Sequence, residues 1–174
     1  DVASPTEPQA MKTTAIGRWL LYPLVLTSLF CAESLLGQGE VNFANSSGTR
    51  VFLPDCLTPV AGSAYLAQLY AGPRGAAEPE LLPYGKPTPL RTGAVAGRFL
   101  GGTVIIPFWQ LNSNPQDNWV TVQARVYEAK AGSFEAARAG AGLYGASGLL
   151  AIPATYTSSP PPPNLPNYGL KSFC

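Results

Sequence analysis

"WVTVQARVY", residues 119–127, alternates strictly: Val120, Val122, Ala124 and Val126 fall on one face of an extended chain, and Trp119, Thr121, Gln123, Arg125 and Tyr127 on the other. Successive side chains of a strand point to opposite faces, so this pattern predicts a core strand whose valine-lined face packs on a second layer. On the opposite face, Trp119 and Tyr127 are interleaved with Gln123 and Arg125. Rings set among hydrogen-bonding groups are what a flat sheet surface uses to stack on and orient a sugar or peptide. These four are therefore candidate ligand-binding residues. The alternative is that residues 73–90 or the segment near Phe134 cover the rings.

Outward from this strand, short apolar segments recur between turn signals. "EVNFAN" (40–45) and "RVFL" (50–53) flank "SSGT" and read as a hairpin. "SAYLAQLYAG" (63–72) is largely apolar on both faces, as suits a central strand, and "GPRGAAEPELLPYGKPTP" (72–89) reads as a connection with at most one short edge strand. "GGTVIIP" (101–107) and "SGLLAIPATY" (147–156) read as strands, "TSSPPPPNLPN" (157–167) as an extended polyproline segment, and "YGLKSF" (168–173) as a last strand or tail. In "GSFEAARAG" (132–140), Ser133 caps a short helix, Glu135 favours its positive end and Gly140 ends it. With 18 Gly, 18 Pro and only 12% charged residues, long helices are disfavoured. The expected fold is all-β, an antiparallel β-sandwich of Ig-like or jelly-roll-like type with one short helix near 133–140.

Met11 is followed by Lys12, Arg18 and the uncharged run 19–32, "WLLYPLVLTSLFCA", broken by Pro23 and followed by small residues. A basic start and an apolar stretch short of the roughly 20 residues of a bilayer span fit a secretory signal helix. Residues 1–10 then form a disordered upstream extension, 11–39 a signal peptide cleaved after Ser34 or Gly39, and 40–174 the β-sandwich domain. Export to the cell surface or the medium, with no membrane span after cleavage, is the expectation. Phe30 stands where a lipoprotein signal has a small residue ahead of Cys31, which disfavours that reading. Cys56 and Cys174 remain in a compartment that permits oxidation. They either pair, closing a loop worth roughly 4 to 5 kcal/mol in the chain-entropy model, or stay as two free thiols.

The segments "GQGEVNFANSSGTRVFLPD", "GSAYLAQLYAGPRG", "LRTGAVAGRFLGGTVIIP", "VTVQARVYEAKAGSFEAARAGAGLYGASGLL" and "YGLKSF" together resemble a family of exported bacterial proteins of uncharacterised function, often bearing a C-terminal PEP-CTERM sorting tag. The similarity spans about residues 37–173, and its most specific stretches are Leu69-Tyr70-Ala71-Gly72-Pro73 and Gly132-Ser133-Phe134-Glu135-Ala136-Ala137. It implies a secreted or surface-displayed β domain and no catalytic residues. The tag's Pro-Glu-Pro motif, apolar helix and arginine cluster do not occur in these 174 residues.

Composition narrows the chemistry. The absence of histidine removes Ser–His and Cys–His nucleophile pairs and the commonest transition-metal ligand. The net charge of +1 and the singly scattered Lys and Arg argue against nucleic acid. No cofactor motif is present. "NSNPQDN" (112–118) offers Asn112, Asn114, Asp117 and Asn118 as oxygen ligands for calcium, against the alternative of a self-bonded turn. Asn45-Ser46-Ser47 matches a glycosylation sequon. The expectation is a non-enzymatic exported domain whose partners are glycans or other envelope and matrix components. A carbohydrate-binding module built on the aromatic sheet face is the alternative.

Overall fold

The computed structural model describes residues 38–45, 48–107, 118–155 and 161–174. Strand β5, Trp119–Glu128, lies inside the larger of two antiparallel sheets. It pairs with β2, Gly62–Pro73, in an unbroken register from Tyr65↔Glu128 to Pro73↔Val120. Its other edge takes two short strands in succession, β6 (Tyr144–Ala146) opposite Arg125–Tyr127 and β7 (Leu150–Pro153) opposite Trp119–Val122. β3, Leu82–Leu90, pairs with the far side of β2. The second sheet has two strands, β1 (Gln38–Ala44) and β4 (Leu100–Pro107).

The core lies between the layers. Val41, Phe43, Val104 and Ile106 of the small sheet belong to one cluster with Ala67, Leu69 and Ala71 of β2 and Val120, Val122, Ala124 and Val126 of β5. All four residues of the valine-lined face are buried, as the alternation predicts. The described residues thus form an all-β antiparallel sandwich with a few single 3-10 turns and a short α-helical element near 133–140. That element starts where expected: Ser133 Oγ accepts from Ala136 N at 3.1 Å, the helical turn Phe134–Ala136 widens into a π turn over Ala137–Ala141, and Gly140 leaves helical geometry at φ 108°.

Two local expectations are corrected. Segments 40–45 and 50–53 do not form a hairpin; β1 pairs with β4, from Gln38↔Pro107 to Ala44↔Leu100. Phe43 stacks on Phe99 with ring centroids 4.6 Å apart, and Gly101 makes room, since a Cβ there would stand 2.5 Å from Phe43 Cδ1. Burying that pair outweighs the local turn chemistry on which a hairpin would depend. Residues 50–53 contribute only isolated bridges, Val51↔Phe173 and Phe52↔Pro59.

The second correction concerns 72–89, where β3 is a nine-residue strand rather than a connection. Pro83, Pro87 and Pro89 lack ladder donors, which an edge strand tolerates and an inner strand does not. Gly85, at φ 68°, brings β3 against β4, where a Cβ would lie 2.9 Å from Val104 Cγ2. β1 is flanked in turn by Thr155 and by Pro163 and Asn164, with Asn42 N donating to Pro163 O, and the expected extended segment gives way to a 3-10 turn at Leu165–Tyr168. Residues 168–173 form a tail with one bridge rather than a strand. No helix among the described residues is long and apolar enough to cross a membrane. Of the expected signal segment 11–39, residues 11–37 lie outside the described residues, while Gln38 and Gly39 belong to β1.

Placing a carboxylate in the core should destroy the fold, while the same change on the outer face of β4 should not. Val122→Asp is expected to cost about 4 kcal/mol or more and abolish the cooperative urea transition. Ile105→Asp, at a position 55% exposed, should keep the transition within about 0.5 kcal/mol of the parent. Urea melts followed by circular dichroism decide both.

Candidate functional site

The outer face of β5 is closed. Thr121, Gln123, Arg125 and Tyr127 are each 5% exposed or less, and only Trp119 remains half-buried. Segment 74–81 and the helical turn at Phe134 cover the face: Tyr70, Ala76, Leu81, Tyr127, Phe134 and Ala137 form a second apolar cluster there. The open aromatic platform suggested by the alternation is thereby corrected, in favour of the covered alternative. Trp119 itself meets the Tyr168 ring edge-on at 6.3 Å, with the Arg74 guanidinium 5.7 Å from its centroid.

Arg125 organises this layer. Its guanidinium carbon lies 4.0 Å from the Tyr70 ring centroid and 4.7 Å from that of Phe134. Its edge donates from Nε to Gln123 Oε1 at 2.7 Å and from Nη2 to the Glu78 carbonyl at 2.7 Å, and Nη1 stands 3.6 Å from Glu135 Oε1. A planar cation with five donors satisfies rings above and acceptors at its rim at once. Tyr70 Oη donates to the Glu135 carboxylate at 2.9 Å, and Gln123 Nε2 donates to Ser147 O at 2.8 Å. Ser147 Oγ accepts from Ala124 N at 3.0 Å and donates to Gly148 O, which carries the network to the β6–β7 turn. Burial lowers the pKa of Arg125 and raises that of Tyr70, where the Glu135 carboxylate adds to the rise. The polar groups of Tyr70, Gln123, Arg125 and Ser147 are thus engaged internally, and the arrangement holds structure.

Of the proposed calcium ligands, Asn112, Asn114 and Asp117 lie outside the described residues. Asn118 is 2% exposed, with neither amide atom hydrogen-bonded. The sequon asparagine, Asn45, is occupied: Nδ2 donates to the carbonyls of Thr49 and Gly97 at 3.0 Å each, and Oδ1 accepts from Phe99 N at 2.7 Å. A glycan on that nitrogen would break the clamp joining three chain segments. No group of three or more metal-ligating side chains occurs among the described residues.

Sequence reasoning missed the surface concavity. Val51–Pro54, Val60, Tyr65, Val126, Tyr127 and Leu143–Gly145 line a shallow surface cleft of about 30 Å³, room for a water-sized group, whose wall includes Cys174. Cys174 is disulfide-bonded to Cys56 with a Cα separation of 5.3 Å. Of the cleft's lining residues, Leu143 and Tyr144 are 44% and 51% exposed. Five chain segments meet there, and no periodicity within any one of them announces it. The cleft is the candidate contact site: apolar, tyrosine-lined and without a carboxylate among its lining residues.

Arg125→Met is expected to lower stability by about 2 to 4 kcal/mol, since it removes the donors to Gln123 and Glu78 and the contact with both rings. Arg125→Lys should recover less than half of that, because an ammonium cannot replace the fork. Denaturant melts check the order. A raised folded pKa for Tyr70 means that stability is complete below the ordinary tyrosine value of 10.0 and falls as pH rises past it. Melts between pH 8 and 11 should show that decline in the parent and a shallower one in Tyr70→Phe.

Comparison of the chain with protein-family models, with curated proteins and with solved structures found no match.

Proposed function

We propose that the chain is an exported, non-enzymatic β-sandwich domain with a structural or interaction role at a cell surface, in the envelope or in an extracellular matrix, like the exported bacterial family it resembles. The observation that carries this reading is the disulfide between Cys56 and Cys174, which are 118 residues apart in the chain. Such bonds persist in oxidising compartments and are uncommon in a reducing cytosol. The charged segment at Lys12 and Arg18, followed by the uncharged run 19–32, supports the same location.

The non-catalytic part of the reading rests on how the carboxylates are used. Glu135 bonds Tyr70, Glu128 accepts from Leu143 N at 2.9 Å and pairs with Lys130 at 3.0 Å, and Glu80 accepts from Ala77 N at 2.8 Å. Asp55 holds its own turn through Leu57 N and Thr58 N. A glycoside hydrolase needs two carboxyl groups facing each other across a sugar, whereas the concavity here offers apolar and aromatic side chains. A carbohydrate-binding role would not use the face of β5, which is covered.

Expression from Met11 in a bacterium, with and without residues 11–39, tests the location. With the leader the chain should appear outside the cytoplasm, shortened at Ser34 or Gly39 by mass spectrometry, and with no thiol free to alkylate at Cys56 or Cys174. Without it, both thiols should react. A leader-bearing chain retained uncleaved in the cytoplasm would overturn the proposal.

A further inference from the structure

We infer that the Cys56–Cys174 disulfide is an accessible redox latch, whose reduction by a dithiol frees residues 171–174 from the edge at Arg50–Phe52 while both sheets stay folded. The inference assumes the oxidising location proposed above as the place where the latch is normally shut.

Both cysteines are exposed, and Cys56 sits at the tip of a turn that stands without the disulfide. Leu53 N donates to Thr58 O, Cys56 N to Leu53 O, and Asp55 Oδ1 accepts from Leu57 N and Thr58 N. Among the described residues Cys56 is the only non-glycine with positive φ, at 53°, a conformation that L-residues rarely adopt. A strained, solvent-facing cysteine on a self-supporting loop leaves one end of the bond ready for exchange.

Three hydrogen bonds and the partly buried Phe173, packed against the main core, hold the other end. Phe52 N donates to Phe173 O at 2.9 Å, Phe173 N to Arg50 O at 3.2 Å, and Arg50 N to Ser172 Oγ at 3.0 Å. Leu170, 4% exposed and bonded through its N to Leu165 O, anchors the chain just before this segment. Gly169, at φ 95°, stands beside it. The ladder between β2 and β5 includes none of residues 171–174. Local opening is favoured where few buried contacts and few backbone bonds tie a segment down. Cys174 also packs on β6, its carbonyl carbon 3.4 Å from where a Gly145 Cβ would be, so release widens the apolar cleft and uncovers Val51, now 2% exposed.

The chemistry balances with an external dithiol. One thiolate attacks a cysteine sulfur, forming a mixed disulfide, and the other cysteine leaves with the electron pair and takes a proton from water. The second thiol of the reductant, deprotonated, then closes its own disulfide and expels the remaining cysteine. The protein disulfide is reduced to two thiols and the dithiol is oxidised.

The test uses purified, oxidised full chain and dithiothreitol without denaturant, read by thiol alkylation and hydrogen exchange. Both cysteines should become alkylated, and the amides of Phe52 and Phe173 should exchange about tenfold faster or more, with Leu69 and Ala124 unchanged. Cys174→Ser should show the same exchange pattern without reductant. Resistance to alkylation, unchanged exchange at Phe52 and Phe173 after reduction, or accelerated exchange at Leu69 and Ala124 would each overturn the latch, as would failure of Cys174→Ser to fold. Because the oxidised protein is prepared in vitro, a chain that proved cytoplasmic would sink the proposed function and leave this result standing.

Discussion

Arg125 is the constraint around which the outer layer is built. A sheet strand with one apolar face needs only one covering layer, but β5 is covered on both sides, and its second face carries Thr121, Gln123, Arg125 and Tyr127. Covering a guanidinium removes it from water, and only a full set of partners offsets that loss. The partners come from three places: the Glu78 carbonyl in the β2–β3 connection, Gln123 on the same strand, and the Phe134–Glu135 turn after β5. The long connection and the helical turn are thus tied to the sheet by a single cation.

What was legible in the sequence followed from periodicity. Val120, Val122, Ala124 and Val126 announced a core strand because alternation is a property of one segment. The Ser133 cap and the Gly140 stop were equally local. The β1–β4 pairing was not, because it depends on Phe43 finding Phe99 and on the space left by Gly101. The outer β5 face left two readings open, an exposed platform or a covered face, because polarity within one strand cannot say whether another segment closes over it. A hint was present in Phe134: a large apolar residue at the start of a short polar turn needs somewhere to be buried.

Long-range closure is the other theme. β1 pairs some sixty residues downstream, its far edge is flanked by Thr155 and Asn164, and Val51 is bridged by Phe173. Non-local pairing must bring distant segments together before it is rewarded, so cross-linking Cys56 to Cys174 removes part of that cost from the unfolded chain. Asn45 does by hydrogen bonds what the disulfide does covalently, holding Thr49, Gly97 and Phe99 at the end of the small sheet. The 50–60 loop is therefore placed from both ends of the domain, while its tip is shaped by its own bonds at Leu53, Asp55 and Thr58.

An apolar plug would fill the second layer with less desolvation than Arg125, and replacing buried ions by apolar groups is often neutral or stabilising. Register is the reason a cation serves better here. β2 is apolar on both faces, with Ala67, Leu69 and Ala71 toward one cluster and Leu66 and Tyr70 toward the other, so it gives β5 little guidance about which face belongs inside. A slip of one residue flips every side chain, and would drive Arg125 and Gln123 into the valine-lined core while turning Val122 and Ala124 toward Glu78 and Glu135. The native register sets Arg125 opposite Gln68 and Ala124 opposite Leu69. A strand that tolerated either face would have two nearly equal ways to pair; one guanidinium leaves it a single one.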